Sequence, residues 1–121
     1  KSKVRDLYIS TLFKLNLKYA EKLKPDGIYV LSAKHGLLSL NKKIPPYNQT
    51  LNEMSVAERK SWSEEVLRKI RRVSDIKKTK YIILAGKKYR QYLLPHMKDP
   101  KIPLKDLRIG EQLKKLKGLT S

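Results

Sequence analysis

The segment from Gly27 to Leu38 constrains the fold of this chain more than any other stretch. It opens with an apolar run rich in β-branched and aromatic residues, Ile28 to Leu31, which is typical of a buried strand. The run stops at four small or polar residues, Ser32 to His35, and then meets Gly36. The pattern predicts a buried strand that ends in a polar loop.

A second strand and a connecting helix follow. Lys80 to Ala85 is another apolar run, and Gly86 follows it. Between the two runs, Ser55 and Glu58 have the spacing of a capping box, and helical periodicity continues to Val73. Two short strands joined through a helix favour a parallel pair, which needs helices on both faces. We therefore predict an α/β fold, a small three-layer α/β/α domain with a short, mainly parallel sheet.

The other segments complete this picture. Apolar residues at steps of three and four predict an amphipathic helix from Asp6 to Leu23, and a last basic helix lies within Leu107 to Leu116. Leu37 to Leu40 suggests a short buried turn. With 121 residues the chain suits a single domain, 1–121. Because two strands are too few for an independent sheet, we expect a third strand before Lys1.

Charge is the strongest global signal. The chain has 29 Lys and Arg and 11 Asp and Glu, which gives a formal net charge of +18. Repulsion between so many like charges destabilises a folded chain, and the phosphates of a bound partner can compensate it. Nucleic acid, either DNA or RNA, is therefore the favoured partner. An acidic protein, an anionic membrane face and a ribosome-like assembly are the alternatives.

Composition also excludes several classes of site. With no cysteine, the chain has no disulfide, no thiol nucleophile and no cysteine-bearing zinc site. Only two histidines are present, so we expect no metal site and no cofactor. No apolar run approaches the roughly 20 residues that span a bilayer. We expect a cytoplasmic protein without membrane contact, and the sequence does not indicate an oligomeric state.

The loops after the two strands are the candidate active site, because ligands of parallel sheets gather at the carboxyl ends of strands. His35 could act as a general acid or base, Ser32 as a hydrogen-bond donor or nucleophile, and Lys34 as a phosphate contact or activator of Ser32. Each has a structural alternative. Ser32 could cap the turn, His35 could be a hydrogen-bonded loop residue, and Lys34 could be a solvated charge.

The second loop is the candidate phosphate-binding segment. Gly86, Lys87 and Lys88 could hold an anion at a helix start, although a simple glycine turn between strand and helix is the stronger interpretation. Tyr47, Tyr89 and Tyr92 could stack on bases, or half-bury their rings against the core. A metal-dependent nuclease is disfavoured, because the strand ends in Ser32 where that class places an acid.

Several motifs together resemble an uncharacterised prokaryotic and viral domain family of unknown function. The motifs are Leu31-Ser-Ala-Lys-His-Gly-Leu-Leu38, Pro46-Tyr47 with Leu51 and Met54, Trp62, Leu84-Ala85-Gly86 with Tyr89, and Gly110-Glu111-Gln112-Leu113. The resemblance implies an initial strand carrying a cysteine, of which Lys1-Ser2-Lys3 is similar to the tail. More distantly, the chain is similar to archaeosine-synthase-type domains, to the peroxide-stress protein YaaA and to the uracil-DNA-glycosylase-like fold.

Two functional hypotheses follow. The first is a nucleic-acid-associated α/β domain that acts as an enzyme on a base or nucleotide of DNA or tRNA, with Ser32, Lys34 and His35 at its site. The second is a non-catalytic basic module that binds nucleic acid or serves in an assembly, in which Ser32 and His35 only shape a loop.

Overall fold

The computed structural model describes every residue of the chain, Lys1 to Ser121. Helices and short sheets, one of them parallel, confirm the predicted α/β class. The chain divides into two compact units. The first comprises Lys1–Val30, Ser39–Pro46 and Leu104–Ser121, and the second comprises Leu31–Leu38 and Tyr47–Pro103. The single domain 1–121 stays a prediction beside this division.

The elements are short apart from three helices. In chain order they are β1 (Ser2–Lys3), α1 (Val4–Leu7), α2 (Thr11–Lys22), β2 (Tyr29–Ser32), β3 (Gly36–Ser39), β4 (Lys43–Ile44), a 3-10 turn (Leu51–Glu53), α3 (Val56–Val73), β5 (Lys80–Ile82), α4 (Lys87–Arg90), a second 3-10 turn (Leu94–His96), β6 (Asp99–Lys101) and α5 (Ile109–Thr120). No helix combines the length and the apolar composition needed to cross a membrane.

The first unit is built on the packing of α2 against α5. The Lys22 ammonium donates hydrogen bonds to the carbonyl oxygens of Leu119, at 2.9 Å, and Ser121, at 3.3 Å. The C-terminal ends of the two helices are therefore adjacent, and a cation there also suits the helix dipole. β1 and β4 pair in antiparallel fashion. The buried apolar side chains of this unit are Val4, Leu40, Ile44, Leu104 and Leu116.

The second unit is organised around α3. Its capping box is formed, because the Ser55 hydroxyl accepts from the Glu58 N–H while the Glu58 carboxylate accepts from the Ser55 N–H. One face of the helix is buried in the core. The core side chains are Ala33, Leu51, Trp62, Val66, Leu67, Ile70, Ile76 and Leu93.

The sheet differs from the predicted one. We expected the strands at 28–31 and 80–85 to pair in parallel, and they do not: there are three separate two-stranded sheets, β1 with β4, β2 with β3 and β5 with β6. Only three residues separate β2 from β3, so the polar loop is the turn of a hairpin. The parallel pair is β5 with β6, in the register Lys80 to Asp99. The third strand expected before Lys1 stays a prediction.

Two further segments depart from expectation. The helix predicted from Asp6 to Leu23 is broken, because the Ser10 hydroxyl accepts from the Phe13 N–H and caps a new helix, α2. The segment Leu37 to Leu40, predicted as a buried turn, mostly belongs to β3. Its alternating burial is the pattern of a strand with one covered face.

Candidate functional site

The hairpin turn between β2 and β3 carries three of the predicted site residues. Ser32 is 1% exposed, and its hydroxyl oxygen accepts a hydrogen bond of 3.0 Å from the backbone N–H of His35. This is the turn-capping geometry that serine hydroxyls commonly adopt. Gly36 follows with a φ of +75°, a left-handed conformation often found at the end of short hairpin turns. The segment 32–36 is thus a tightly closed turn.

Two side chains of α3 hold this turn from the helix side. The Trp62 indole N–H donates to the Ser32 carbonyl at 2.9 Å, and the Lys69 ammonium donates to the His35 carbonyl at 2.8 Å. Trp62 and Lys69 are seven residues apart, which is nearly two full helical turns, so both side chains lie on one face of α3, about 10 Å apart along the helix axis. The backbone of the turn is therefore fixed at both ends by one rigid element.

The side chains of Lys34 and His35 differ in their exposure and contacts. Lys34 is exposed, whereas His35 is half-buried. The His35 ring meets the Tyr47 ring edge to face, with centroids 5.5 Å apart and an interplanar angle of 90°. Edge-to-face packing of this kind restricts the orientation of both rings. The structure therefore brings the rings of His35 and Tyr47 together, while the Ser32 hydroxyl contacts the backbone N–H of His35 and Lys34 is exposed.

The Gly86 segment forms the start of α4. The Gly86 carbonyl accepts from the N–H groups of Tyr89, at 3.0 Å, and Arg90, at 3.2 Å. Gly86 has a φ of −65°, and a Cβ added there would meet no atom within 4 Å. Neither backbone conformation nor space requires glycine here. Lys87 and Lys88 are both exposed.

Trp62 links the two predicted loops. Its N–H binds the carbonyl of Ser32, and its ring meets the Tyr89 ring edge to face with centroids 5.8 Å apart. We expected the loops to meet at the carboxyl ends of paired parallel strands. The predicted strand pairing is wrong, because β2 and β5 do not pair. Both loops instead contact the indole of Trp62, which α3 carries.

Sequence reasoning did not identify Trp62 and Lys69 as parts of the site. A signal was present: Lys69 falls on the buried face of α3, between Val66 and Ile70, where a lysine is unusual. Its ammonium reaches a backbone carbonyl because the long side chain extends along the apolar surface. No cluster of three or more metal-ligating side chains lies within the chain.

A second polar cluster lies beside α3, and of its residues the sequence singled out only Tyr92, as a ring that could stack on bases. The Arg59 guanidinium lies 5.7 Å from the centroid of the Tyr92 ring, and the Lys60 ammonium lies 5.6 Å from it. Arg59 also donates to the side-chain oxygen of Gln91 at 2.9 Å. Two adjacent cations thus share one aromatic ring next to α4.

Comparisons with known proteins identify a family but no activity. A family model described as a family of unknown function, DUF6884, matches residues 1–118. No match is found among curated proteins or among solved structures. The matched region includes the hairpin turn, α3, α4 and most of α5. The chain therefore belongs to DUF6884, a family of unknown function.

Proposed function

We propose that the protein binds nucleic acid, and that residues of the second unit make the contact. The excess of positive charge carries this proposal. Even if each of the 11 acidic residues paired with one cation, 18 cations would have no carboxylate of their own. Phosphates compensate such charge favourably, because neutralising them releases condensed counterions. The proposal includes a cytoplasmic location and leaves DNA and RNA as alternative partners.

The second unit is the proposed contact region because it combines cations with aromatic rings. It contains Lys34 with His35 and Tyr47 at the hairpin turn, and Lys87 and Lys88 at α4. Aromatic rings between cations are typical of surfaces that contact bases and backbone together. The Ser32-x-x-His35 spacing, similar to that of archaeosine-synthase-type domains, supports the same class of substrate.

Fluorescence anisotropy with labelled single-stranded DNA, duplex DNA and tRNA at several salt concentrations tests this proposal. On duplex DNA, we expect the logarithm of affinity to fall with the logarithm of salt by about 0.9 for each phosphate neutralised. Lys87→Glu with Lys88→Glu should weaken binding to every sequence alike. Lys14→Glu with Lys18→Glu in α2 changes the charge equally and is the matched control.

Two results would contradict the proposal in different ways. Absent or salt-insensitive binding would reject nucleic acid as the partner and favour an acidic protein. Equal weakening by the two double variants would keep the partner but reject the second unit as the contact region. We expect the α4 variant to have clearly the larger effect.

An enzyme that acts on a base or nucleotide of DNA or tRNA is the second candidate. The rigid support of the turn by Trp62 and Lys69 favours it, because catalysis benefits from groups held in place before substrate arrives. In this proposal His35 is the general acid or base and Lys34 contacts phosphate. The Ser32 hydroxyl donates a hydrogen bond to the substrate, while its oxygen accepts from the backbone N–H of His35.

Mass spectrometry of nucleosides from incubated DNA and tRNA tests the enzyme. We expect His35→Ala and Ser32→Ala to abolish turnover and to leave binding nearly unchanged. If the parent protein releases no base, modifies none and cleaves no strand while it binds well, the non-catalytic binding module is the correct function.

A further inference from the structure

We infer that Arg59 and Lys60, held by Tyr92 and Gln91, form a phosphate clamp that contacts the phosphodiester backbone. This inference rests on the proposed function and assigns one specific contact of the interface. The clamp consists of Arg59, Lys60, Gln91 and Tyr92, all of which belong to the second unit. It does not include the hairpin turn or α4.

Neither cation of the clamp forms an ion pair with a carboxylate. The ion pairs of the second unit are Arg68 with Glu65 and Lys101 with Asp99, and neither involves the clamp. The Tyr92 ring attracts the guanidinium and the ammonium from 5.7 and 5.6 Å instead. The positive charge is thus positioned but not neutralised, which leaves it available to an anion.

The hydrogen-bond donors of Arg59 are only partly used within the protein. One guanidinium nitrogen donates to the Gln91 side-chain oxygen at 2.9 Å. This fixes the plane of the guanidinium, while its remaining N–H groups make no hydrogen bond to the protein. A planar guanidinium with free donors matches the geometry of a phosphate group. Because the Arg59 side chain is held by Gln91, binding loses less of its conformational entropy.

The position of the two cations on α3 also favours a ligand. Arg71 and Arg72 lie in its last turn, where the helix dipole stabilises positive charge. Arg59 and Lys60 lie near the opposite end, where the dipole offers no such stabilisation. The helix dipole therefore accounts for the C-terminal arginines but not for Arg59 and Lys60.

Variants of the full chain test the clamp by anisotropy with a single-stranded oligonucleotide over a range of salt. Arg59→Gln with Lys60→Gln should reduce the salt slope by about 0.7 for each phosphate that the clamp neutralises in the parent protein. Lys77→Gln with Lys78→Gln removes the same charge from exposed residues outside the clamp and is the control, with a smaller expected effect. Circular dichroism verifies that each variant is folded.

Substitutions at Tyr92 test the role of the ring separately from the charges of Arg59 and Lys60. Tyr92→Leu keeps every cation but removes the ring, so we expect affinity to fall by about fivefold to thirtyfold with an unchanged salt slope. Tyr92→Phe retains the ring and should bind like the parent. Parent-like binding by Tyr92→Leu, or equal effects of the two glutamine pairs, would overturn the clamp while nucleic-acid binding still stands.

A titration followed by NMR distinguishes the two proposals. The Arg59 Nε–H signal should shift on addition of a thymidine dinucleotide, which carries one phosphodiester, and less with inorganic phosphate. If it shifts with inorganic phosphate alone and no nucleic acid binds, the clamp holds free phosphate and the proposed function is wrong. If it shifts with neither probe, the clamp is rejected.

Discussion

At Gly36 the backbone has a φ of +75°, which L-residues with a side chain rarely adopt. A Cβ there would lie 3.5 Å from atoms of Lys69 and Val66, an ordinary contact distance, so the cost of a side chain lies in the backbone. We expect Gly36→Ala to lower the free energy of unfolding by about 1–2 kcal/mol, measured by urea denaturation. Gly86→Ala is the control.

Gly86 has a negative φ and open space, so alanine there should be neutral or should stabilise by about 0.4–1 kcal/mol. If Gly86→Ala lowered the free energy of unfolding as much as Gly36→Ala, the backbone conformation of Gly36 would not explain its loss of stability.

The Trp62 indole N–H provides the second prediction at this scale. Trp62→Phe keeps an aromatic ring in the core but leaves the buried Ser32 carbonyl without its donor. We expect a loss of about 1–3 kcal/mol in unfolding free energy, together with faster hydrogen exchange at the His35 N–H. Tyr89→Phe retains its ring against Trp62 and should change stability by less than about 0.5 kcal/mol. Unchanged exchange in Trp62→Phe would argue against the anchoring role.

Single residues of the candidate site were partly predictable. The sequence left two roles open for Ser32, and its hydroxyl has the turn-capping geometry, while a catalytic role stays a prediction. The contact between His35 and Tyr47 was not predictable, because it depends on tertiary packing across a segment without periodicity. The place of Lys69 on the buried face of α3 was a usable signal, but its partner, a backbone carbonyl 34 residues away, was not predictable.

Among the elements, α3 has the clearest local stabilisation. The backbone N–H and side chain of Ser55 hydrogen-bond the Glu58 carboxylate and lower its pKa below the ordinary value of 4.5. Stability from this carboxylate is therefore present above the ordinary pKa and is lost as pH falls through the lower folded-state value. The capping box thus contributes least to the stability of the protein at acidic pH.

The variant Glu58→Gln tests this pH dependence, because it keeps an acceptor oxygen and removes the charge. We expect the parent to be more stable than Glu58→Gln near neutral pH, and the difference to disappear in acid, once the pH lies below the folded-state pKa of Glu58. Thermal melts across this range measure it. A difference that grows as pH falls would have the wrong sign for this explanation.

The elements show which sequence signals suffice. Ser55 and Glu58 predicted α3 correctly, because a capping box is local chemistry. Pro100 disfavours a strand, yet β6 contains it; a two-stranded sheet leaves both strands as edges, where a missing N–H is tolerated. Ile9 falls within the helix predicted from Asp6 to Leu23 but is 78% exposed, because the Ser10 cap begins α2 after it.

For the whole molecule, the charge of +18 dominates its solution behaviour. Like charges repel within the folded chain, and salt screens them over a Debye length of about 10 Å at 0.1 M. We expect the melting temperature at pH 7 to rise by a few degrees between low and moderate sodium chloride. Lys14→Glu with Lys18→Glu lowers the net charge and should show a smaller rise. A fall in Tm with salt would indicate that attractive ion pairs outweigh repulsion.

At this scale the sequence predicted the α/β class and the presence of two strands, but not their partners. The predicted burial of the two strands is wrong, because Tyr29 in β2 and Ile82 in β5 are exposed. Strand pairing is set by contacts between distant segments, and the short strands carry no pattern that selects one neighbour over another. The hairpin follows from Gly36, whose left-handed conformation permits the tight turn. The parallel partner of β5 is β6, which contains a proline and therefore has a weak local preference for strand structure.

The contacts of Trp62 have a practical consequence. It is the chain's single tryptophan, and its indole touches both the hairpin turn and Tyr89. Its intrinsic fluorescence therefore comes from one buried position that adjoins both predicted loops. A ligand that moves either loop should alter emission without any label, so the protein carries its own optical probe for screening unknown substrates.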